Sequence, residues 1–312
     1  MLPECNSLRQ WNPVAAMKPI LILNPAAGRA KSAAVEESLN RAFRKHGIPC
    51  EIAVAAKAGD GYALAGKAAD EGYDPIIAGG GDGTVNGVIN GLVGTDATLG
   101  IIPIGSVNVL ARELGIPLDF RKAIQTIADG VVKKIDLGCA NGRYFTLMAG
   151  FGFDAEVVAN VVQPLKDMIG SSAYVLEGLE TLARYRATNV VLEMPEGTYS
   201  TKAFLVMVAN VSTYTYNLKI TPHAAPDDGL LDVCVFERPL ADKIGFMRQM
   251  AEVFIHRHLY HRAVRYFRTS KVTVRSDPEV MVQLDGDAFA ATPVHASIAP
   301  SSLPVIVPAA PE

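Results

Sequence analysis

A chain of 312 residues, 49% hydrophobic and 20% charged, is long enough to fill two cores and too apolar to be disordered. Its formal net charge of −3 leaves no basic footprint for nucleic acid, so a DNA- or RNA-binding module is set aside. Four cysteines at 5, 50, 139 and 234 lie too far apart for a zinc site or a disulfide framework, which favours reduced thiols and a cytoplasmic setting. Residues 1–17 hold Glu4, Arg9 and Trp11 without a continuous apolar run. They read as a loose tail rather than a leader or a span. No other window approaches the ~20 apolar residues that cross a bilayer, so any membrane contact is expected to be peripheral.

From Ile20 short apolar runs alternate with helical periods. Ile20–Leu23 is a strand closed by Asn24-Pro25-Ala26-Ala27-Gly28-Arg29, and Val35, Leu39, Ala42 and Phe43 share one face of the next helix. Glu51–Val54 and the alanine-rich stretch before Gly72 make a second step. The third runs from Pro75-Ile76-Ile77-Ala78 through Gly79-Gly80-Gly81-Asp82-Gly83-Thr84 into a helix beginning near Val85-Asn86. The fourth is Leu99–Ile104, Gly105-Ser106-Val107-Asn108 and a helix from Val109 to Leu114 that Gly115 and Pro117 stop. Repeated β–α units imply a parallel sheet covered by helices, a Rossmann-like α/β domain. Its ligands belong at the carboxyl ends of the strands, where all three polar loops must lie.

The glycine loop is the strongest of these signals. A buried strand ending in glycines lets backbone N–H groups approach an anion, and the following helix adds its positive end. The lysine of G-x-x-x-x-G-K-[ST] is missing, and Thr84 breaks a G-x-G-x-x-G fingerprint. Asp82 in such a loop calls for a cation, a ribose hydroxyl or a backbone amide. A tight turn closed by an Asx-type hydrogen bond accounts for the local residues equally well, as an ordinary β–α turn does for Asn24–Gly28.

After Lys134 the pattern becomes β-rich. Ile135–Ala140, an Asn141-Gly142 turn and Tyr144–Met148 make a hairpin. Further strands are expected at Val190–Met194, Ala203–Ala209, Leu230–Phe236, Lys271–Arg275 and Glu279–Leu284, with helices over 155–183 and 241–254. The second half reads as an antiparallel β-sandwich with insertions. Two acidic turns flank its strands, Asp227-Asp228-Gly229 and Asp285-Gly286-Asp287. The first can hold a divalent cation, and the second can divide metal binding and proton transfer between its carboxylates. Plain β-turns remain open for both. Ala251–Arg275 carries six Lys/Arg against Glu252, with Phe254, Tyr260, Tyr266 and Phe267 interleaved. It reads first as a solvated face with anchoring aromatics and second as a contact for anionic headgroups.

Asn24-Pro25 with Gly28, Gly80-Gly81-Asp82-Gly83-Thr84 with Asn86 and Asn90-Gly91, Pro103-Ile104-Gly105-Ser106 with Asn108, Asp228-Gly229 and Asp285-Gly286-Asp287 follow one another in a familiar order. That order resembles the diacylglycerol kinase catalytic family, which includes sphingosine and ceramide kinases, over almost everything from Lys18 onward. The glycine motif by itself is shared with NAD kinases and phosphofructokinases. The resemblance implies an ATP-binding α/β domain over 18–136 with a return at 295–312, where Val305-Ile306-Val307 pack, and a β-rich lipid-substrate domain over 137–294. ATP is implied to bind in the cleft between them, and a lipid hydroxyl, most simply that of diacylglycerol, is the acceptor.

The same resemblance implies nucleotide contacts from Asn24, Pro25, Ala26, Ala27 and Gly28, and from Gly80, Gly81, Asp82, Gly83, Thr84, Val85 and Asn86, with the Ser106 hydroxyl beside them. It implies a structural Mg²⁺ on Asp228 and the carbonyls of Ala225 and Leu230, a catalytic Mg²⁺ near Asp82 and Asp285, and Asp287 as proton acceptor. The implied partner is a lipid at a membrane surface, met peripherally by a cytoplasmic protein. A homodimer is compatible with this. Two positions depart from the family: Val109 stands where an acid follows Gly-Thr-x-Asn, and Asp287 stands where Glu is usual. A soluble-metabolite kinase of the NAD kinase type accounts for the glycine motif but not for both acidic turns. A non-catalytic nucleotide- or lipid-binding regulator is the third reading.

Overall fold

The computed structural model describes residues 9–10, 18–28, 33–57, 59–160 and 180–309. It divides into two compact units, Met1–Asp136 with Pro300–Glu312, and Leu137–Ala299, so the chain passes from one to the other twice.

The first unit contains β1 (Arg9–Gln10), β2 (Ile20–Leu23), α1 (Ala33–Lys45), β3 (Glu51–Val54), α2 (Asp60–Asp70), β4 (Ile76–Gly80), α3 (Asp82–Leu92), β5 (Leu99–Pro103), α4 (Val109–Glu113) and α5 (Phe120–Asp129). Its strands pair in parallel in the order β3-β2-β4-β5, with Leu21 opposite Ile52 and Ile77, and Ala78 opposite Ile101. Every residue of β4 and β5 is buried, which is why these strands read as unbroken apolar runs rather than alternating ones. Leu39 and Phe43 of α1 pack into the same core with Ile124 and Ile127 of α5. Past β5 the sheet is completed from the far end of the sequence, where Val305 pairs in parallel with Leu99.

Of the tail expected over 1–17, only Arg9–Gln10 is described, paired antiparallel with Val131 and Val132. The helix α5 has no counterpart among the sequence expectations. Asp119 caps it, its Oδ1 accepting from the N–H groups of Arg121 and Lys122 at 3.0 and 3.2 Å.

The second unit is antiparallel throughout. It follows β6 (Val131–Ala140), whose later half belongs to it, with β7 (Arg143–Phe145), β8 (Met148–Gly152), α6 (Phe153–Asn160), β9 (Thr188–Met194), β10 (Gly197–Ala209), β11 (Thr213–Thr215) and β12 (Leu218–Lys219). Then come β13 (Leu231–Glu237), α7 (Asp242–Phe254), a 3₁₀ turn at His258–Tyr260, β14 (Val264–Thr269), β15 (Lys271–Asp277), β16 (Met281–Leu284), β17 (Asp287–Ala291) and β18 (Val294–Val307).

The long strand β10 makes the sandwich. Gly197–Ala203 pairs with β9, then the register shifts and Leu205–Ala209 pairs with β8 and β13. One strand thereby serves both layers. Between them lie Phe145, Phe151, Leu192, Val206, Val233, Val274 and Val282, all essentially inaccessible.

The expected hairpin forms between β6 and β7 across Asn141 (φ 45°) and Gly142 (φ 86°), the two left-handed residues of a type I′ turn. Its second strand stops at Phe145, where Tyr144–Met148 was expected, because the N–H groups of Thr146 and Leu147 are drawn to Asp285 instead of a neighbouring strand. Of the helix expected over 155–183, α6 and a turn at 180–184 are described, and 161–179 lies outside the described residues. Among the described residues no helix is long and apolar enough to cross a membrane.

Candidate active site

Three loops meet at the carboxyl ends of β2, β4 and β5. Asn24 joins the first two: its N–H donates to Gly79 O at 2.9 Å and its Nδ2 to Thr84 Oγ1 at 3.0 Å, while its Oδ1 accepts from Ala26 N at 2.9 Å. Gly80 O, at the end of β4, accepts from the N–H groups of Ile104 and Gly105 at 3.0 and 3.2 Å. Asp82 opens α3, and its Oδ1 accepts from Leu110 N at 3.2 Å, tying the second loop to the helix behind the third. Asn108 turns the third loop with φ 56° and donates Nδ2 to Gly105 O at 2.8 Å.

Glycine is what lets these backbones touch. A Cβ on Gly105 would stand 2.5 Å from Gly81 Cα, and one on Gly28, already at φ 41°, would stand 2.5 Å from Ile104 O. Neither neighbour is a side chain that can swing away. Gly105→Ala is therefore expected to push the loops apart, lowering nucleotide affinity about tenfold or more and stability by roughly 1–3 kcal/mol. Nucleotide titration and a thermal melt check both. Unchanged values would mean that the loops need no such contact.

The result is a rim of backbone N–H groups at the start of α3, with the exposed Gly83 and Ser106 beside it. Such a rim suits phosphate. These contacts bring Asn24, Gly28, Gly80, Gly81, Thr84 and Gly105 together, while Val85 is buried behind them.

In the second unit, Asp285 is the most heavily bonded side chain of the acidic turn. Its Oδ2 accepts from Thr146 N and Oγ1 at 2.8 and 2.9 Å, and its Oδ1 from Leu147 N and Met148 N at 2.9 Å each. Burial pushes its carboxyl up from the ordinary range, while donation from Thr146, Met148 and Leu147 pulls it down, and burial prevails. With Oδ1 accepting from two backbone N–H groups and Oδ2 from one N–H and one hydroxyl, Asp285 holds the turn.

Asp287, two residues on, begins β17. Its side chain is 70% exposed, with Arg143 Nη2 3.8 Å from Oδ2. Behind the turn, Gly286 N donates to Gln283 Oε1 at 2.7 Å and Gln283 Nε2 donates to Asp154 Oδ2 at 2.7 Å. Asp154 also accepts from Tyr214 at 2.5 Å and is buried, which raises its pKa against both hydrogen bonds. Thr146, Asp154, Gln283 and Arg143 were not anticipated. An Asp set in the apolar run Phe151-Gly152-Phe153 was the one visible signal.

The other acidic turn is arranged differently. Asp228 Oδ1 accepts from Leu230 N at 3.1 Å, and Oδ2 pairs with Arg268 Nη2. Arg268 Nε also lies 3.4 Å from Asp232, which is fully buried and accepts from Tyr266 at 2.6 Å. Of the Mg²⁺ ligands expected there, the Asp228 carboxylate faces a guanidinium and the Leu230 N–H. The carbonyls of Ala225 and Leu230, the other two expected ligands, are not engaged by these contacts. No three His, Cys, Asp or Glu side chains gather to hold a metal among the described residues.

Comparison with known proteins agrees with the motif order. Residues 18–140 match the diacylglycerol kinase catalytic domain, and residues 148–307 match the YegS C-terminal NAD kinase beta sandwich-like domain. The chain is 33% identical over 270 residues to the diacylglycerol kinase of Bacillus subtilis strain 168, covering 86% of this chain and 88% of that one. It is 29% identical over 269 residues to that of Staphylococcus saprophyticus, with 86% and 88% covered. A crystal structure of a candidate diacylglycerol kinase from Bacillus anthracis str. Sterne superposes with TM-score 0.79 at 25% identity, covering 94% of this chain and 98% of that one. With the nucleotide-type loops, the sandwich and the acidic turn all present in sequence order, the chain belongs to the diacylglycerol kinase family of ATP-dependent lipid kinases.

Proposed function

We propose that this kinase transfers the γ-phosphoryl group of ATP to the primary hydroxyl of diacylglycerol. The observation that carries the proposal is the three-loop rim of N–H groups, held together by glycine contacts, in a chain of this family. Asn24–Gly28 and Gly80–Asn86 hold the phosphates, with the Ser106 hydroxyl beside them. Asp287 accepts the hydroxyl proton as oxygen bonds to the γ-phosphorus, and the bond to the bridging oxygen breaks to leave ADP. Because the transition state is loose, positioning and charge neutralisation supply most of the acceleration. Mg²⁺ bound with ATP would neutralise phosphate charge, and Asp82, the carboxylate of the rim, is the residue that would hold it. Asp285 and Gln283 act through Asp287 by fixing its turn. The acceptor lipid implies peripheral membrane contact.

The deciding experiment is label transfer from γ-labelled ATP with Mg²⁺, offered diacylglycerol and a total-lipid extract. Labelled phosphatidic acid supports the proposal. Label confined to a water-soluble product would favour the second reading, a soluble acceptor, which the NAD kinase-like sandwich motivates. Asp82→Ala is expected to weaken Mg-ATP binding by roughly tenfold, on the scale of one charge-assisted contact. Isothermal titration reads it, and an unaltered affinity removes Asp82 from the nucleotide site.

A further inference from the structure

The helix α7 is apolar on two sides, and only one of them is used. On the inner side Phe246 is fully buried, its ring centroid 5.2, 4.7 and 6.4 Å from those of Phe153, Phe204 and Phe236. Gln249, equally buried, donates Nε2 to the carbonyls of Glu237 and Ala263 at 3.2 and 2.8 Å. Val253 continues that stripe. It anchors the helix completely.

On the outer side Ile244, Met247 and Phe254 recur at helical spacing and are 76, 50 and 71% exposed, with Leu240 before them at 110% and Ile255 after them at 61%. Tyr260, on the turn that follows, is 84% exposed. That turn is held firmly, because His258 is buried with Nε2 2.9 Å from Ile220 O. Scattered exposed apolar residues need no explanation, but a continuous ridge of this kind does.

Charge identifies what meets it. Residues 238–262 hold five Lys/Arg against two acids, in a chain whose overall charge is −3. Both acids are neutralised one turn away, Asp242 by Arg238 and Glu252 by Arg248, each at 2.9 Å. Arg257 and Arg262 meet no carboxylate among the described residues. An apolar ridge edged by unpaired cations complements a layer of anionic headgroups over acyl chains. A second copy docked two-fold on the same ridge would set these cations against themselves.

We propose that α7 and the turn after it form a membrane-docking face, lying in the plane of an anionic bilayer. Ile244, Met247, Phe254 and Ile255 enter the acyl boundary, and Arg257 and Arg262 meet the phosphates. The proposal rests on the lipid-kinase reading and adds the surface by which the enzyme reaches its substrate's layer.

Co-sedimentation with vesicles of phosphatidylcholine alone, or with one-third phosphatidylglycerol, tests it without ATP or turnover. A kinase that docks but does not phosphorylate would separate a failure of the proposed reaction from a failure of docking. The wild type is expected to bind the anionic vesicles and to release with salt. Ile244→Glu with Phe254→Glu is expected to lower the partition coefficient at least about tenfold, and Arg257→Gln and Arg262→Gln about fivefold each. All four sites are exposed, and a thermal melt confirms folding. Equal binding by wild type and all three variants overturns the proposal, as does wild type that ignores anionic vesicles. Sedimentation of the protein alone adds a last arm: ridge variants that only dissociate a dimer would assign the face to a second copy and overturn it too.

Discussion

Replacing Asp287 by Asn should abolish lipid phosphorylation and leave ATP binding intact. The amide has the size and shape of the carboxyl but accepts no proton, so kcat should fall about 10²- to 10⁴-fold. The side chain is 70% exposed and its charged partner among the described residues, Arg143, is 3.8 Å away across solvent, a weak pair whose loss should not move the melting temperature. Label transfer, nucleotide titration and a melt on the same preparation therefore separate chemistry from folding. Parallel loss of transfer and ATP affinity would remove Asp287 from the proton-accepting role. Asp287→Glu supplies the control in the other direction. It restores the residue usual in the family and lengthens the reach by one methylene, so activity at or above wild type is expected. Near-total loss would show that the turn is built for the shorter acid.

Asp285→Ala should act on stability first and on rate second. It withdraws the acceptor from three backbone N–H groups and one hydroxyl at once. Each buried donor left without a partner costs about 1–3 kcal/mol, and with some water entering the space a total of about 3–5 kcal/mol is expected. Denaturant unfolding followed by fluorescence measures it. The released turn also shifts Asp287, and a displacement of ~1 Å at a reacting group costs ~100-fold in rate. The expected kinetic signature is a lower kcat with an unchanged KM for ATP, since the nucleotide loops are not touched. Asp285→Asn, which keeps one accepting oxygen, should fall between. A loss under about 1 kcal/mol in the alanine variant would mean that the turn is held by something else.

Local patterns made the first unit readable. The strands β2, β4 and β5 are buried on both faces, so each shows as an apolar run, and the loops after them carry the polar residues. The helix α5 escaped notice although Asp119 and the spacing of Ala123, Ile124 and Ile127 announce it. It follows Pro117 with no strand between, which breaks the β–α rhythm used to find the others. In the second unit β14 was hidden by its own chemistry: Arg265 and Arg268 are both exposed, three positions apart on opposite faces of the strand, and the stretch reads as a basic surface. The acidic turns were found, but not what each does. Whether a carboxylate faces three backbone N–H groups or a guanidinium depends on partners 139 and 40 residues away, Thr146 for Asp285 and Arg268 for Asp228. No local spacing encodes such a choice.

The strand that completes the first unit lies beyond the whole of the second in the sequence. Val305 and Ile306 are buried against Leu99 and its neighbours only after residues 137–299 have been made. During synthesis the edge of β5 therefore waits, hydrogen bonds unmade, while some 160 residues emerge from the ribosome. The second unit therefore has its whole sequence before the first does. Chains held on a stalled ribosome by a linker placed after Ala299 should resist protease over residues 137–299 while residues 18–136 are cut more readily.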